Sequence, residues 1–268
     1  MKPQFKNVFK KGSKTYFTSS LFFPQQVRDD VSILYAFVRK ADDYVDCIPP
    51  KKKQFMEFKN EYLQIVKGHN RFITAFRKLE AEKGFNPDWT KAFLSSMEMD
   101  LTKKTYQTLA ETEHYIYGSA NVIGLYMAKL LNLPHISYPC AELLGKSMQF
   151  INFIRDIKED LALGRNYFPQ PELKQFGLRS LDYKETSRHP DALVRFVRFQ
   201  IERYFKWQKE AEKGFVYIPK RYLVPIKTAS NIYLWTAKKI YNDPFIVYRR
   251  KVKPNTLQIL FEALKNLV

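Results

Sequence analysis

The sequence predicts an all-α protein folded as a single domain. Three observations carry this. Apolar residues recur at three- and four-residue spacing through most of the chain. Alternating strand patterns with hairpin turns are scarce. Neither an internal repeat nor a Gly/Ser tract divides the 268 residues, which include only 9 Gly.

Residues 27–44 show the first strong helical period, with Val27, Val31, Leu34, Tyr35, Val38 and Ala41 on one stripe. Asp29 and Asp30 fall in its first turn, where the helix dipole favours carboxylates. Residues 55–66 and 71–79 repeat the period. Gly84-Phe85-Asn86-Pro87-Asp88 signals a turn before a helix at 89–101. Residues 112–131, with Gly118 and Gly124 inside, read as one long helix stopping before Asn132-Leu133-Pro134. A second long helix at 139–163 is ended by Gly164, Asn166 and Pro169. Residues 164–190 are rich in turn formers and predict loops with short helices. Helices at 191–213 and 222–241 follow, then a break at Asn242-Asp243-Pro244 and a last helix at 256–267.

Composition narrows the function. Hydrophobic residues make up 45% of the chain, enough for a full core, and aromatic residues 16%, with 22 Phe and 17 Tyr. So many rings suit either core packing or a pocket for a large apolar ligand, and composition alone does not separate the two. The net charge of +18, from 45 Lys+Arg against 27 Asp+Glu, suits an anionic partner: nucleic acid, an acidic membrane face or a polyphosphate substrate. Basic runs occur at Lys51, Lys52 and Lys53 and at Arg249-Arg250-Lys251-Val252-Lys253.

Cys47 and Cys140 make no disulfide framework, the N-terminus lacks a signal-peptide apolar stretch, and no run approaches the ~18 apolar residues of a spanning helix. A cytoplasmic protein with at most transient, peripheral membrane contact is the expectation. The four histidines lack metal-ligand spacing, and no Walker sequence or dinucleotide fingerprint is present.

Two acidic clusters stand out. In Arg39-Lys40-Ala41-Asp42-Asp43-Tyr44-Val45-Asp46, the four-residue spacing puts Asp42 and Asp46 on one helix face, with Arg39 a turn earlier. In residues 149–160, Asn152, Asp156 and Asp160 repeat every four residues between Phe150, Ile151, Phe153, Ile154 and Ile157. Carboxylates among apolar residues are costly unless paired or metal-bound. Magnesium takes hard oxygen ligands, commonly one or two carboxylates completed by water and phosphate oxygens. Two such helices facing each other would hold several Mg²⁺ ions against a diphosphate. Each cluster alone is also compatible with a solvated face; a basic nucleic-acid-binding protein would leave both unexplained, so no nucleic-acid partner is expected.

These residues resemble a known family. Arg39-Lys40-x-Asp42-Asp43-x-x-Asp46 is similar to the first aspartate-rich motif of the squalene/phytoene synthases. Gln149-x-x-Asn152-x-x-Arg155-Asp156-x-x-Glu159-Asp160, followed by Gly164-Arg165-Asn166-Tyr167-Phe168-Pro169, resembles the second. Residues 115–124, Tyr115-Ile-Tyr-Gly118-Ser-Ala120-Asn-Val-Ile-Gly124, resemble the family segment between them. The resemblance runs from about Ser13 to Arg250.

It implies an isoprenoid-synthase-type helical bundle around a central cavity, and head-to-head condensation of two prenyl diphosphates through a cyclopropyl diphosphate. Asp42, Asp46, Asn152, Asp156 and Asp160 would bind Mg²⁺, three ions with substrate present. Arg39, Gln149 and Arg155 would hold diphosphates, Tyr115 would lie near the reacting carbons, and Tyr35 would contact substrate. Ser13 and Lys14 match an N-terminal diphosphate-binding segment in which Gly12 replaces the usual His. Tyr233 and Arg250 match C-terminal diphosphate contacts. Gly118, Ala120 and Gly124 would either leave room for a prenyl tail or let helices pack closely.

The leading expectation is phytoene from two geranylgeranyl diphosphates, because the second motif reads most like that of phytoene synthases. Squalene, hydroxysqualene or dehydrosqualene from farnesyl diphosphate is the alternative, with NADPH needed only for squalene. A terpene cyclase or chain-elongating transferase fits less well, because the segment 115–124 is foreign to both.

Overall fold

The computed structural model describes residues 3–267. Helices α1 (Pro3–Gly12) and α2 (Lys14–Ser20) precede α3 (Gln25–Val45), α4 (Lys52–Tyr62), α5 (Arg71–Lys83) and α6 (Pro87–Met99). α7 (Leu109–Ile116) passes through a π-helical turn at Tyr117–Asn121 into α8 (Val122–Leu130). α9 (Tyr138–Arg155) is continued by α10 (Ile157–Ala162). The short α11 (Gln170–Gln175) and α12 (Tyr183–Thr186) lead to the long α13 (Pro190–Glu212) and α14 (Lys220–Asn242), then α15 (Ile246–Arg249) and α16 (Thr256–Lys265). Among the described residues there is no strand, only an isolated bridge between Tyr106 and Pro169.

Local chemistry sets the boundaries. Asn70 and Asn86 cap α5 and α6 by accepting the amides of Phe72 and Asp88, and Thr108 caps α7 through the amide of Glu111. Gly84, in the left-handed region at φ 61°, closes α5. Asp29 and Asp30 lie past the first turn of α3, and Asp30 is held by Lys83 at 2.7 Å instead of by a helix dipole. The N-terminal helices give little periodic signal: α1 buries just Phe5 and Phe9. α2 starts because Ser13 accepts the amide of Tyr16 at 3.2 Å.

α9 runs through the middle of the bundle, between α13, α8, the π turn and α14. α3 packs on α1, α4, α5 and α6. Many of the rings belong to this second contact: Phe37 stacks on Phe76 at 4.0 Å between centroids, with Phe58, Tyr62 and Phe93 around it.

Two long predicted helices are each interrupted. The 112–131 segment contains the π turn. The 139–163 segment breaks at Asp156, whose backbone sits at φ −102°, ψ 17°. The break leaves the register intact, because the amides of Asp156 and Asp160 still bond the carbonyls of Asn152 and Asp156, each at 2.8 Å. The distortion accompanies a two-bond ion pair between Arg155 and Asp156; neighbours on a regular helix diverge by about 100°.

The glycines settle one alternative. A β-carbon on Gly118 would lie 2.2 Å from the carbonyl oxygen of Ala92, and one on Gly124 2.0 Å from that of Ala141. Both positions serve close backbone approach, so Gly118 and Gly124 leave no room for a prenyl tail. Gly124→Ala is expected to lower stability by about 1–3 kcal/mol, as overpacking does, read from urea unfolding.

Candidate active site

Asp42 lies in the last turn of α3 and Asp46 is the residue just after it; Asn152 lies in the last turn of α9, Asp156 sits between α9 and α10, and Asp160 lies in α10. Arg165 joins the two groups. Its guanidinium, 3% exposed, donates to Asp46 Oδ1 from Nη1 and to the Val45 carbonyl from Nη2, both at 2.7 Å. The loop after α10 is thereby clamped onto the end of α3, and the two oxygen-bearing stripes face one shared space.

The electrostatics agree. Burial pushes the carboxyls of Asp42 and Asp160 well above the usual range, and the charge of Asp46 raises both further. Neither side chain has a hydrogen bond or ion pair among the described residues. Asn152 donates weakly to Gln149 at 3.4 Å, while its buried Oδ1 accepts nothing. Asp156 is different. Burial opposes its ionisation, but bonds from Arg155 at 2.7 and 2.6 Å and Lys251 at 2.7 Å outweigh burial and hold it below the ordinary range.

Asp100, at the end of α6, escaped the sequence reading. It is 3% exposed and accepts the hydroxyls of Tyr115 at 2.7 Å and Tyr167 at 2.8 Å, with Arg165 Nε at 3.8 Å. Burial, only partly offset by Arg165 and the two hydroxyls, raises its carboxyl to about 6. Tyr167 stacks on Phe153 at 4.1 Å and lies 4.9 Å from Tyr115. Burial keeps Tyr115 protonated, so it is a fixed hydroxyl in an aromatic wall. Arg165 and Tyr167 were visible as letters of the second motif. Asp100 gives no spacing signal, because no second carboxylate lies a turn away from it.

The remaining predicted residues divide. Tyr233 donates to Tyr16 at 2.9 Å, and Tyr16 to the sulfur of Met148 at 3.7 Å. Tyr16 lies within electrostatic reach of Arg155, Tyr233 and Tyr35, so these four gather in one region. Tyr35 stacks on Phe9 at 4.4 Å. Its hydroxyl would stand 2.3 Å from a β-carbon on residue 12, which is why Gly12 fits where a His would not. Arg39 pairs with Asp43 at 2.8 Å instead of with Asp42. Ser13 is used as a cap, Lys14 is exposed, and Arg250 is exposed without a side-chain partner among the described residues. The adjacent Lys251 is the cation that reaches the second motif.

Among the described residues no three carboxylates, histidines or cysteines converge tightly enough to form a ready-made metal cage. The donor set still fits a hard divalent cation. It offers two unpartnered carboxylates and an orphaned amide oxygen, the incomplete set expected where water or phosphate supplies the other ligands. The cleft beside them, lined by Phe153, Ile157, Asp160, Leu161, Arg165 and Tyr167, leaves about 10 Å³ of free space. That is about the room one water needs, so this cleft does not hold a prenyl chain.

Asp100 has a pH signature. Its folded carboxyl titrates near 6, above the unfolded value of about 3.9. Its stabilising contribution is therefore full below pH ~4 and lost as pH rises through ~6. Asp100→Asn is expected to reduce the fall in unfolding free energy between pH 4 and 7 by about 2–3 kcal/mol, measured by denaturant titration across that range.

Comparison with known proteins identifies the family. The profile of the squalene/phytoene synthase family matches residues 9–258. A 15-cis-phytoene synthase of Enterobacter agglomerans is 28% identical over 243 residues, 85% of this chain and 82% of that protein. The fold is shared with a dehydrosqualene synthase crystallised with a ligand, at TM-score 0.80 and 23% identity over 98% of this chain and 95% of that one. It is also shared with the squalene synthase HpnC of Alicyclobacillus acidocaldarius, at TM-score 0.79 and 21% identity over 90% and 93%. The chain belongs to the squalene/phytoene synthase family and is a prenyltransferase of that type.

Proposed function

We propose that the protein condenses two geranylgeranyl diphosphates head to head, through a cyclopropyl diphosphate, into phytoene. One observation carries the site assignment: the Asp42/Asp46 and Asn152/Asp156/Asp160 stripes meet through Arg165 while Asp42, Asp160 and the Asn152 oxygen keep their acceptor capacity unused. The similarity to phytoene synthases supports the choice of substrate.

In this reading Asp42, Asp46, Asn152, Asp156 and Asp160 hold magnesium, and bound Mg²⁺ would neutralise each diphosphate and stabilise it as a leaving group. Each substrate brings roughly two to three negative charges near neutral pH, by analogy with phosphate ionisation. Arg155 and Lys251 supply positive charge beside Asp156, and Arg39, Gln149 and Tyr233 line the approach. Ser13, Lys14 and Arg250 would add diphosphate contacts, Ser13 from the start of α2 and the two cations from exposed positions. The stacked rings of Tyr115, Phe153 and Tyr167 exclude water and offer π faces to an allylic cation. Asp100 fixes the Tyr115 hydroxyl, so Tyr115 presents one orientation to the reacting carbons.

A second reading, two farnesyl diphosphates joined to squalene, hydroxysqualene or dehydrosqualene, takes its support from the squalene and dehydrosqualene synthases that share the fold. It requires NADPH only if squalene is the product. Incubation with each diphosphate and Mg²⁺, with and without NADPH, followed by mass analysis, discriminates the two. A C40 hydrocarbon independent of NADPH is expected; a C30 product alone overturns the phytoene assignment.

Asp42→Ala is expected to lower turnover by about 10²–10³-fold or more, on the scale of lost electrostatic stabilisation. Because burial disfavours that carboxylate, the variant should unfold at an equal or higher urea concentration. Near wild-type turnover would overturn the site assignment.

A further inference from the structure

We propose that α16 is a docking helix that lies on an anionic lipid surface with its outward face in the headgroup region. The inference stands apart from the reaction above and uses none of its residues. α16 is amphipathic in an unusual way, because both its faces are apolar. Ile259 and Ala263 are fully buried against α14 and α2, yet Leu257, Phe261 and Leu264 on the opposite side are 77%, 60% and 57% exposed. Leu267, just beyond the helix, is also exposed. The spacing 257, 261, 264 makes one continuous stripe along the outer surface. Single exposed leucines need no explanation, but a contiguous apolar stripe on one element marks an interaction surface.

The chemistry around the stripe selects the partner. The one acid of α16, Glu262, is turned inward, accepting from Asn231 at 2.7 Å. Lys265 stands with its ammonium 4.6 Å from the Phe261 ring. α14 runs antiparallel beside α16, with Asn231 bonded to Glu262 and Thr228 to Asn266, and carries exposed Lys227, Lys238 and Lys239. α2, on which α16 also packs, adds the exposed Leu21. A groove of about 220 Å³ there is lined by Lys6, Phe17, Leu21, Gln25 and Arg28. An apolar stripe bordered by lysines and free of outward acids is the pattern of a helix lying in a membrane interface. A second copy of the chain would bring the same lysines and another +18 of charge to the face. No described helix is long and apolar enough to cross a membrane, so the contact is interfacial.

The test is co-sedimentation of the full chain with vesicles of phosphatidylcholine alone and of phosphatidylcholine with 30% phosphatidylglycerol. Binding to the anionic vesicles, weakened by salt, is expected. The double variant Phe261→Ser/Leu264→Ser should bind them at least ten-fold less, with an unchanged urea midpoint. Leu257→Ser, at the most exposed position, provides a second variant that cannot disturb packing and should also weaken binding. Replacing Lys51, Lys52 and Lys53 by Ala should leave binding intact, because that run lies at the start of α4. Equal binding by wild type and both α16 variants overturns the proposal. So does loss of binding in the Lys51–Lys53 variant alone, or a wild-type dimer that the α16 variants dissociate without changing vesicle binding.

Discussion

The two contacts of Arg165, with the Asp46 carboxylate and the Val45 carbonyl, tie together segments far apart in the sequence. One is the end of α3; the other is the loop that leaves α10. Without this clamp, α3 and α9–α10 would each present an acidic face with no reason to align. With it, carboxylates from α3, α6 and α10 sit within reach of one another's charge. The guanidinium suits the task because it is planar, always charged and able to bond a carboxylate and a carbonyl at once. It is also nearly inaccessible to water, which strengthens each of those bonds.

The site is built at a cost to the fold. Asp42 and Asp160 are half-buried with no hydrogen-bonding partner among the described residues, and Asp100 is half-protonated at mildly acid pH. Each would be more comfortable in water. The surrounding structure absorbs this through the ring packing of Phe37, Phe76 and Phe93 on one side and α9 with α13 on the other. Stability spent on poised, unsatisfied groups is the common pattern of sites that must bind charge. Asp156 shows the contrast: with Arg155 and Lys251 against it, it is ionised and held still. Adjacent members of one motif thus take opposite electrostatic roles.

Much of the helical layout was legible because long amphipathic periods are a strong signal. The α3, α5, α6, α13 and α14 segments fall within a few residues of where the period places them. The two acidic stripes were legible for the same reason, as four-residue spacing reads directly onto one face. What remained hidden depends on partners distant in sequence. Asp100 acquires its meaning from Tyr115 and Tyr167, neither of which marks it in the linear text. The choice of Lys251 over Arg250 turns on how the chain leaves α15. Gly12 looked like a lost ligand until the hydroxyl of Tyr35 appeared beside it. The break at Asp156 follows from a contact between neighbours that no regular helix would permit.

The π-helical turn at Tyr117–Asn121 carries a consequence for the whole 109–130 segment. A π turn holds one residue more than an α turn, which offsets the helix after it by about 100° relative to an uninterrupted one. Tyr115 therefore aims at Asp100, while Gly124, on the same nominal rod, meets the backbone of α9. Removing one residue of the turn would restore an α turn and leave α8 on its present face, whereas straightening the rod with every residue kept would swing α8 round by that angle and drive a side chain into the Ala141 carbonyl. The turn thus absorbs one residue locally, and a deletion within it would disturb the packing less than one inside α8, which would rotate everything after it.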